Sequence, residues 1–447
     1  MGQRLGEIGR QRNAPACARR APLISIAMLA LAGTVAGCGV PADGPIPHAS
    51  AATSAPAPVV PRIVDESKVH GEVTLLTGSS TLEAKIMRDL IARFEADHPK
   101  IKVRFTASSR DYPTVVLTRF AGGDAPDVLQ VDGKFFSDWR SKGLLLPLDG
   151  YLQGERVDLQ RYLPEMRAEM QDAAGRTFAL PRHFTTVALF VNDELLRDAG
   201  VTKVPATWAE LETASARITE HGDAAGLCMV PRWERLIMLA LQQGGGLTNA
   251  AGTEMDVASA GTRTAITWTQ RMLASGAATS PDKVGSSWCG EAFGKGDVAM
   301  ALEGAWMSPP LKSQFPDRRY SVHPLPVGAR PATLAYVDNM AISSATKHPD
   351  AAWMLLEYLA APEAQRRLAQ IGAGVPAMSG VPYPDRLEPF AAGLEHATVW
   401  SLPPGFFNTV LTTADNEMSA VLEGKQSVDG MLGKIDDIGV TMLEASK

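Results

Sequence analysis

The sequence predicts an α/β protein built as two lobes, and three observations support that prediction. Residues 71 to 105 alternate between strand and helix patterns, and a second alternating stretch begins near residue 187. The chain has 447 residues, which is more than one small hydrophobic core usually supports. Two folded units, each with a parallel sheet covered by helices, are therefore expected.

The first strand–helix–strand unit begins near Gly71. Residues 73–77 (VTLLT) are an apolar run typical of a buried strand, and residues 101–105 alternate between apolar and polar side chains. Between these strands the pattern predicts an amphipathic helix that ends before Pro99. The apolar side chains of this helix recur every four residues, at Leu82, Ile86, Leu90 and Phe94. The next buried strand is expected at residues 127–131.

The second alternating stretch contains two short apolar strands, at residues 187–191 (VALFV) and 298–302 (VAMAL). Thr207, with Glu210 three residues later, matches a capping box and predicts the start of a helix. One long helix is predicted over residues 350–371, because a proline precedes this stretch and a glycine follows it.

The N-terminus has the features of an export signal. Five arginines precede an uncharged run at residues 21–37, which is short for a membrane-spanning helix and suits a signal peptide. The run ends in Val-Ala-Gly before Cys38, which resembles a bacterial lipobox. We therefore expect a signal peptide over residues 1–37 and lipidation of Cys38; an ordinary signal peptide with an incidental cysteine is the alternative.

The stretch after the signal is rich in alanine, proline and serine, and residues 38–70 are expected to be the lipidated cysteine and a flexible tether. No later apolar run approaches bilayer length. The protein is thus expected on the extracytoplasmic face of the cell membrane, in the periplasm or at the cell surface. Its lipid anchor would be its contact with the membrane.

Four cysteines are present, and Cys17 lies in the segment expected to be removed. With Cys38 lipidated, Cys228 and Cys289 remain in the folded body. Two thiols outside the cytoplasm commonly pair, so a disulfide is expected, with two free thiols as the alternative.

Composition and motifs exclude several classes of function. A formal net charge of −6 disfavours nucleic-acid binding, which needs a dense basic surface. The common hydrolase, zinc, redox and nucleotide motifs do not occur, so no catalysis, cofactor or metal site is expected. A pair of glycosidase carboxylates could still lie among the 49 acidic residues.

Tryptophans outside the helical patterns are candidates for binding a sugar. Trp233, Trp288, Trp306 and Trp400 fall in loops or at strand ends. An indole can stack on the apolar face of a sugar ring while nearby polar groups bond its hydroxyls. Each of these tryptophans could instead pack in a core, and Trp288 could pack on a disulfide at Cys289.

Residues 293–306 (FGKGDVAMALEGAW) resemble a segment of the family 1 extracellular solute-binding proteins, typified by maltose-binding protein. In that family a phenylalanine–glycine–alanine–methionine pattern leads into a strand and a Gly-x-Trp whose indole stacks on bound sugar. The resemblance assigns that role to Trp306, with Glu303 as a nearby polar candidate. Ala305 stands where many members have proline.

Further segments resemble the same family in the same order along the chain, and together they span about residues 71–380. They are residues 94–105, 121–149, 178–201, 205–211 and 348–372.

The resemblance implies a class II-like periplasmic-binding-protein fold, in which a multi-strand hinge joins two lobes that close on a ligand. The first lobe would comprise residues 71–181 and 334–374, and the second residues 182–333 and 375–447. Crossings between the lobes are expected near Arg182, Thr333 and Val375. A ligand would drive closure through its better contacts in the closed state.

The resemblance and this geometry give a set of candidate ligand residues near the cleft. Besides Trp306 and Glu303, they are Asp132, Arg182, His183, Arg232, Trp233, Glu234, Tyr336, Asp338, Asn339, Trp288, Asp111 and Tyr112. Ordinary structural roles remain open for several: His183 could be a hinge residue, Tyr336 to Asn339 could be turn residues, and Asp111 with Tyr112 could belong to a plain loop.

The expected function is that of a monomeric receptor that delivers a mono-, di- or oligosaccharide to the permease of an ABC importer. The alternative within the family is a glycerophosphodiester such as glycerophosphocholine, for which Arg182 or Arg232 could hold the phosphate. Outside the family, a surface glycoside hydrolase and a lipoprotein serving as an adhesin or scaffold are the other possibilities.

Overall fold

Strands and helices alternate along most of the chain. A computed structural model describes residues 59–108, 111–155, 157–222, 224–249 and 251–445. Cys38 and the signal segment lie outside these residues. The described strands are β1 (Gly71–Thr77), β2 (Ile101–Ala107), β3 (Val128–Asp132), β4 (Ala179–Val191), β5 (Ala225–Cys228), β6 (Ala278–Thr279), β7 (Val298–Gly304), β8 (Ser321–His323), β9 (Thr333–Ile342), β10 (Val375–Pro376) and β11 (Ala397–Val399).

Helices connect and flank these strands. The described α-helices are α1 (Thr81–Asp97), α2 (Tyr112–Ala121), α3 (Gly133–Ser141), α4 (Asp149–Gly154), α5 (Pro164–Ala168), α6 (Asp193–Asp198), α7 (Trp208–His221), α8 (Trp233–Gln242), α9 (Ala260–Ala274), α10 (Cys289–Lys295), α11 (Ser308–Gln314), α12 (Pro349–Ala360), α13 (Pro362–Ile371), α14 (Glu388–Ala392), α15 (Thr412–Leu422) and α16 (Val428–Ala445).

The strands are ordered β2-β1-β3-β9-β4-β7-β5-β6, and β4 joins two half-sheets. Its residues 179–186 pair with β9 in the first half-sheet, whereas residues 187–191 pair with β7 in the second. β1 and β2 run parallel with α1 between them, as the strand–helix–strand pattern predicts. β5 likewise runs parallel to β7 and β6. These two half-sheets with their helices form the two lobes of a mixed α/β fold.

β4 is buried along all thirteen residues, and its side chains alternate between two hydrophobic clusters. Ala188 and Phe190 belong to a cluster that extends from the first half-sheet, whereas Val187 and Leu189 belong to the second cluster with α7, α8 and the C-terminal helices. Burial on both faces explains why residues 187–191 of this strand form an uninterrupted apolar run.

The C-terminal part of the chain leaves the first half-sheet soon after β10. Val375 of β10 pairs with Phe184 of β4 in the first half-sheet. The ring of Phe390 in α14 then lies 5.9 Å from that of Phe190, in the part of β4 that pairs with β7. Side chains from Trp400 onward pack in the second cluster. The third change of lobe therefore lies between β10 and α14.

The prediction of one long helix over residues 350–371 is wrong in one respect, because this stretch forms two helices. α12 ends at Ala360 and α13 begins at Pro362. Ala361 between them has an extended backbone, with φ −62° and ψ 155°. A proline disfavours the helical conformation of the residue before it, which accounts for the break.

The folded body already holds the chain from Arg62, within the segment predicted to be a tether. The Arg62 backbone N–H donates to the carbonyl of Gly150 (2.7 Å), and its side chain pairs with Asp350 (2.7 Å). The backbone of Arg62 also lies against Gly154, where an added Cβ would come within 2.0 Å of its carbonyl oxygen. A glycine at residue 154 permits this close approach.

Candidate ligand-binding cleft

The carboxyl ends of three strands from the two half-sheets meet at one cleft. β3 ends at Asp132, β5 leads to α8, and β7 ends at Gly304 before a 3₁₀ turn over residues 305–307. The cleft contains a cavity of about 380 Å³. Its charged and aromatic lining comprises Glu83, Asp132, Lys134, His183, Glu234, Arg235, Trp306, Tyr336, Asp338 and Trp400. Open α/β sheets bind ligands at such strand ends.

Trp306 is held in a defined orientation in this cavity. Its indole Nε1–H donates to Glu303 Oε2 (2.9 Å), and its ring makes an edge-to-face contact with Tyr336 at 5.0 Å between centroids. The Arg235 guanidinium lies 5.1 Å from the ring centre, within the range of a cation–π contact. The half-buried indole is therefore fixed without being removed from the cleft.

Gly304 allows the indole to take this position. A Cβ on Gly304 would come within 2.3 Å of the Trp306 ring, so any larger residue would displace the indole. Ala305 has a separate role, because its backbone N–H donates to Thr185 Oγ1 of β4 (2.8 Å). Proline, common at this position in the family that the segment resembles, has no N–H to donate.

Arg235 links three groups of the cleft. It donates to Glu303 Oε2 (3.1 Å) and to the Tyr336 hydroxyl (3.0 Å), and that hydroxyl donates to the carbonyl of Glu234 (3.3 Å). Burial lowers the pKa of Arg235, but Glu303, Tyr336 and Glu234 together outweigh this effect and raise that pKa overall. Burial raises the pKa of Tyr336, so its hydroxyl stays protonated near neutral pH.

Asp338 is surrounded by donors from two strands. Arg182 donates to Asp338 Oδ1 through Nε (3.0 Å) and Nη2 (2.7 Å), and Gln130 donates to Oδ2 (2.5 Å). His183 Nε2 lies 3.7 Å from the same Oδ2. Burial lowers the pKa of His183, with Asp338 opposing this effect and Arg182 adding to it. The imidazole is therefore expected to be neutral at pH 7.

Asp132 precedes α3, yet its side chain makes no capping hydrogen bond and lines the cavity. Burial raises its pKa from 3.8 to about 6, and the charge of Lys134 opposes this rise. Burial also raises the pKa of Glu234, but Lys134 and Arg235 outweigh it and hold that pKa below its ordinary value. At neutral pH both carboxylates can accept hydrogen bonds from a ligand.

A second, wider cavity of about 1,240 Å³ adjoins the first. Glu234, Arg235 and Trp306 line both cavities. Arg232, Trp288 and Glu303 line only the wider of these two. Most predicted site residues therefore fall into two adjoining cavities.

Five predicted residues do not line either cavity. Trp233 is completely buried in the second cluster, so its indole offers no face to a ligand. Asn339 is also fully buried, and Arg182 is 2% exposed and serves to hold Asp338. Tyr112 is buried with its hydroxyl bonded to the Gln130 carbonyl (2.8 Å), and Asp111 is an exposed residue before α2 with φ 49°.

Sequence reasoning missed Lys134, Arg235 and Gln130. Arg235 could have been found, because it follows Glu234 in the first turn of a helix that begins after a strand. Lys134 lies two residues beyond Asp132 at the start of α3. Gln130 had no such signal, since its contact with Asp338 depends on the pairing of β3 with β9.

The described residues contain neither a group suited to a metal ion nor a helix suited to a bilayer. No group of histidine, cysteine or acidic side chains there could hold a metal ion. No helix among these residues is both long and apolar enough to cross a membrane.

The disulfide expected from the cysteine count is present in the structure. Cys228 at the end of β5 is joined to Cys289 at the start of α10, with their Cα atoms 5.6 Å apart. The bond joins the two ends of the segment that contains α8 and α9. Residues of this segment, from 230 to 288, form part of the wall of the wider cavity.

Comparison with known proteins supports the fold and gives the family. The chain matches the family model described as bacterial extracellular solute-binding protein over residues 78–366. The GacH receptor of Streptomyces glaucescens, solved unliganded and with acarbose, has a TM-score of 0.77 and 26% identity, covering 85% of this chain and 100% of that one.

Similarity to two other proteins supports this family assignment. An ABC substrate-binding protein of Listeria monocytogenes, solved with cycloalternan, has a TM-score of 0.77 and 22% identity, with 85% and 100% coverage. The multiple sugar-binding protein of Streptococcus mutans is 24% identical over 321 residues, 66% of this chain and 72% of that protein. The chain therefore belongs to the bacterial extracellular solute-binding protein family, of the maltose-binding-protein type.

Proposed function

We propose that this protein is the extracytoplasmic receptor of an ABC importer and that it binds a carbohydrate between its lobes. The observation that carries the proposal is Trp306, which is half-buried in the cleft and fixed by Glu303, Tyr336 and Gly304. A fixed indole is a suitable platform for a sugar ring because little conformational entropy is lost when the ring stacks on it.

The charges of the cleft favour a neutral polyol over a phosphodiester. Three cations at the cavity that contains Trp306 already face a carboxylate: Arg182 pairs with Asp338, Arg235 with Glu303 and Lys134 with Glu234. A phosphate in that cavity would have to displace one of these pairs, because Arg232 lines only the wider cavity and Arg182 is too deeply buried to clamp it. Carboxylates such as Asp132 instead suit hydroxyl donors.

The remaining parts of the proposal rest on the sequence. A lipid on Cys38 would anchor the protein, the segment before Arg62 would serve as its tether, and a permease would be its partner. Binding without turnover is the expected behaviour of such a receptor, in contrast to a surface glycosidase.

Isothermal titration against mono- and oligosaccharides and against glycerophosphocholine tests the proposal. Wild-type protein should bind at least one sugar, and Trp306→Ala should weaken that binding about tenfold or more. Trp306→Phe keeps an aromatic face and should lose less. Unchanged affinity in Trp306→Ala would contradict the stacking role, and binding of glycerophosphocholine alone would replace the sugar. Release of shorter glycans during incubation would indicate a hydrolase.

A further inference from the structure

We infer that the ligand is an oligosaccharide whose outer residues bind at Trp288, in the wider cavity of the second lobe; this inference rests on the proposed carbohydrate function. The two cavities share part of their wall. Glu234, Arg235 and Trp306 line both, so a ligand stacked on Trp306 lies at the border of the larger space.

The sizes of the two cavities favour a ligand longer than one ring. Pockets for small ligands measure roughly 300–1,000 Å³. The cavity at Trp306 measures about 380 Å³, and the adjoining cavity measures about 1,240 Å³. A monosaccharide on Trp306 would leave the larger cavity to water.

The Trp288 ring packs directly against a glycine, as the Trp306 ring does. An added Cβ on Gly290 would come within 2.1 Å of the Trp288 ring, so the indole lies directly on the backbone of α10. The ring is half-buried and lines the wider cavity. An indole supported by backbone on one side and accessible from a cavity is a platform for a second sugar ring.

The disulfide fixes this platform relative to the rest of the cleft. Cys289 follows Trp288 directly and is bonded to Cys228 at the end of β5. The chain leaving β5 carries Arg232 and Arg235, which form another part of the wall. Trp288 is thus covalently tied to the strand end from which the polar side chains extend.

Polar side chains and charged side chains of both signs line the cavity that contains Trp288. Arg232, Asp282, Ser287, Asp415 and Asn416 line the same cavity. They can donate to and accept from hydroxyl groups, and their mixed charge suits a neutral chain rather than an ion.

The test is the dependence of affinity on chain length. Sugars of one to six units, in series of different linkage, are titrated into the wild-type protein, Trp288→Ala, Gly290→Ala and Gly433→Ala. Gly290→Ala keeps the indole but displaces it, whereas a Cβ at Gly433 in α16 meets nothing within 4 Å and makes that variant the matched control. Circular dichroism checks that each variant is folded.

Affinity in the wild type should rise with length beyond the shortest sugar bound. Trp288→Ala should weaken binding of the longest sugar by about tenfold while changing that of the shortest by less than about twofold. Gly290→Ala should do the same if Trp288→Ala does not fold, and Gly433→Ala should match the wild type. Equal affinity for short and long sugars, or equal losses at every length in both variants, would overturn the inference. Failure to bind any sugar would contradict the proposed function itself.

Discussion

Lys134 Nζ lies 2.9 Å from Glu234 Oε1, and this ion pair joins α3 of the first lobe to α8 of the second across the cleft. Both side chains are largely shielded, with 17% and 29% of their surface exposed. Burial lowers the pKa of Lys134, but Glu234 and Asp132 together outweigh this effect and raise that pKa, so the lysine stays charged. We therefore expect the pair to favour a closed arrangement of the lobes without a ligand.

Lys134→Met should shift the ligand-free protein toward an open arrangement. A buried charge-assisted hydrogen bond contributes about 1.5–3 kcal/mol, so its loss should weaken ligand binding about tenfold or more. Small-angle scattering should show a larger radius of gyration without ligand, and titration should show the weaker affinity. A double-mutant cycle with Glu234→Gln separates the interaction energy of the two side chains from the effect of changing each residue alone.

The exposed pair of Lys425 and Glu423 is the matched control, since 71% and 56% of these side chains are exposed. Lys425→Met should leave both measurements unchanged, because surface pairs are screened by water. Equal radii for wild type and Lys134→Met would contradict the proposed closure.

Ligand affinity should depend on pH through Asp132, whose pKa is raised to about 6 mainly by burial. The carboxylate is ionised above this pH and accepts hydroxyl donors better than the protonated acid. The charged groups acting on it are Lys134, Asp338, Glu234 and Arg182. Affinity should fall as the pH drops from 7.5 to 5. Titration of Asp132→Asn at both pH values should show weaker and nearly constant affinity; a retained pH dependence would assign it to another group.

Glu169 should destabilise the fold at high pH. It is 8% exposed, burial raises its pKa from 4.5 to about 7, and its Oε2 has no hydrogen-bond partner. The unfolded chain ionises first as the pH rises, so stability falls between pH 4.5 and 7, by about 3 kcal/mol in full. Glu169→Gln should remove that loss.

Urea unfolding at pH 4 and pH 8 measures this effect. Glu169→Gln should be more stable than the wild type at pH 8 and about equal to it at pH 4. Glu423→Gln, at an exposed position, should follow the wild type at both pH values. A Glu169→Gln variant without added stability at pH 8 would show that the native protein relieves the buried charge in another way.

β1, β2, β3, β7 and the C-terminal part of β4 were predictable because they depend on local patterns, whereas the cleft depends on contacts distant in sequence. Trp306 could be predicted from its segment, which also supplies Glu303, but the groups that contact its ring, Arg235 of α8 and Tyr336 of β9, are distant in sequence. Asp338 is likewise positioned by the pairing of β9 with β3 and β4. No periodicity in one segment carries that information.

The prediction that Trp233 binds the ligand was wrong, and the local sequence pattern already indicated that this residue is buried. Trp233, Leu236, Ile237 and Ala240 have the spacing of one helical face, and all four are buried. Successive residues of a helix point in directions about 100° apart, so Glu234 and Arg235 face the cleft while Trp233 faces the core. When polar and aromatic residues are adjacent in the first turn of a helix, each should therefore be assigned to a face of the helix before it is given a role.

Removing the disulfide should reduce stability and leave the overall fold in place. The bond closes a loop of 61 residues, which corresponds to roughly 4 kcal/mol in the chain-entropy description. The Cys228→Ser/Cys289→Ser variant should therefore lose up to that amount in urea unfolding. Mass spectrometry after alkylation without reductant should find neither thiol labelled in the wild type. Two labelled thiols in the native protein would contradict the pairing.

Membrane attachment should depend on Cys38 and not on Cys17. A lipobox cysteine receives two or more acyl chains, and two chains anchor a protein stably where one is marginal. Cys38→Ser should therefore move the protein from the membrane to the soluble fraction, whereas Cys17→Ser is the matched control because it lies within the segment expected to be cleaved. Cell fractionation and mass spectrometry of the mature N-terminus measure both effects. A Cys38→Ser protein that stays with the membrane would indicate attachment by another segment, and an unmodified Cys38 in the wild type would exclude the lipid anchor.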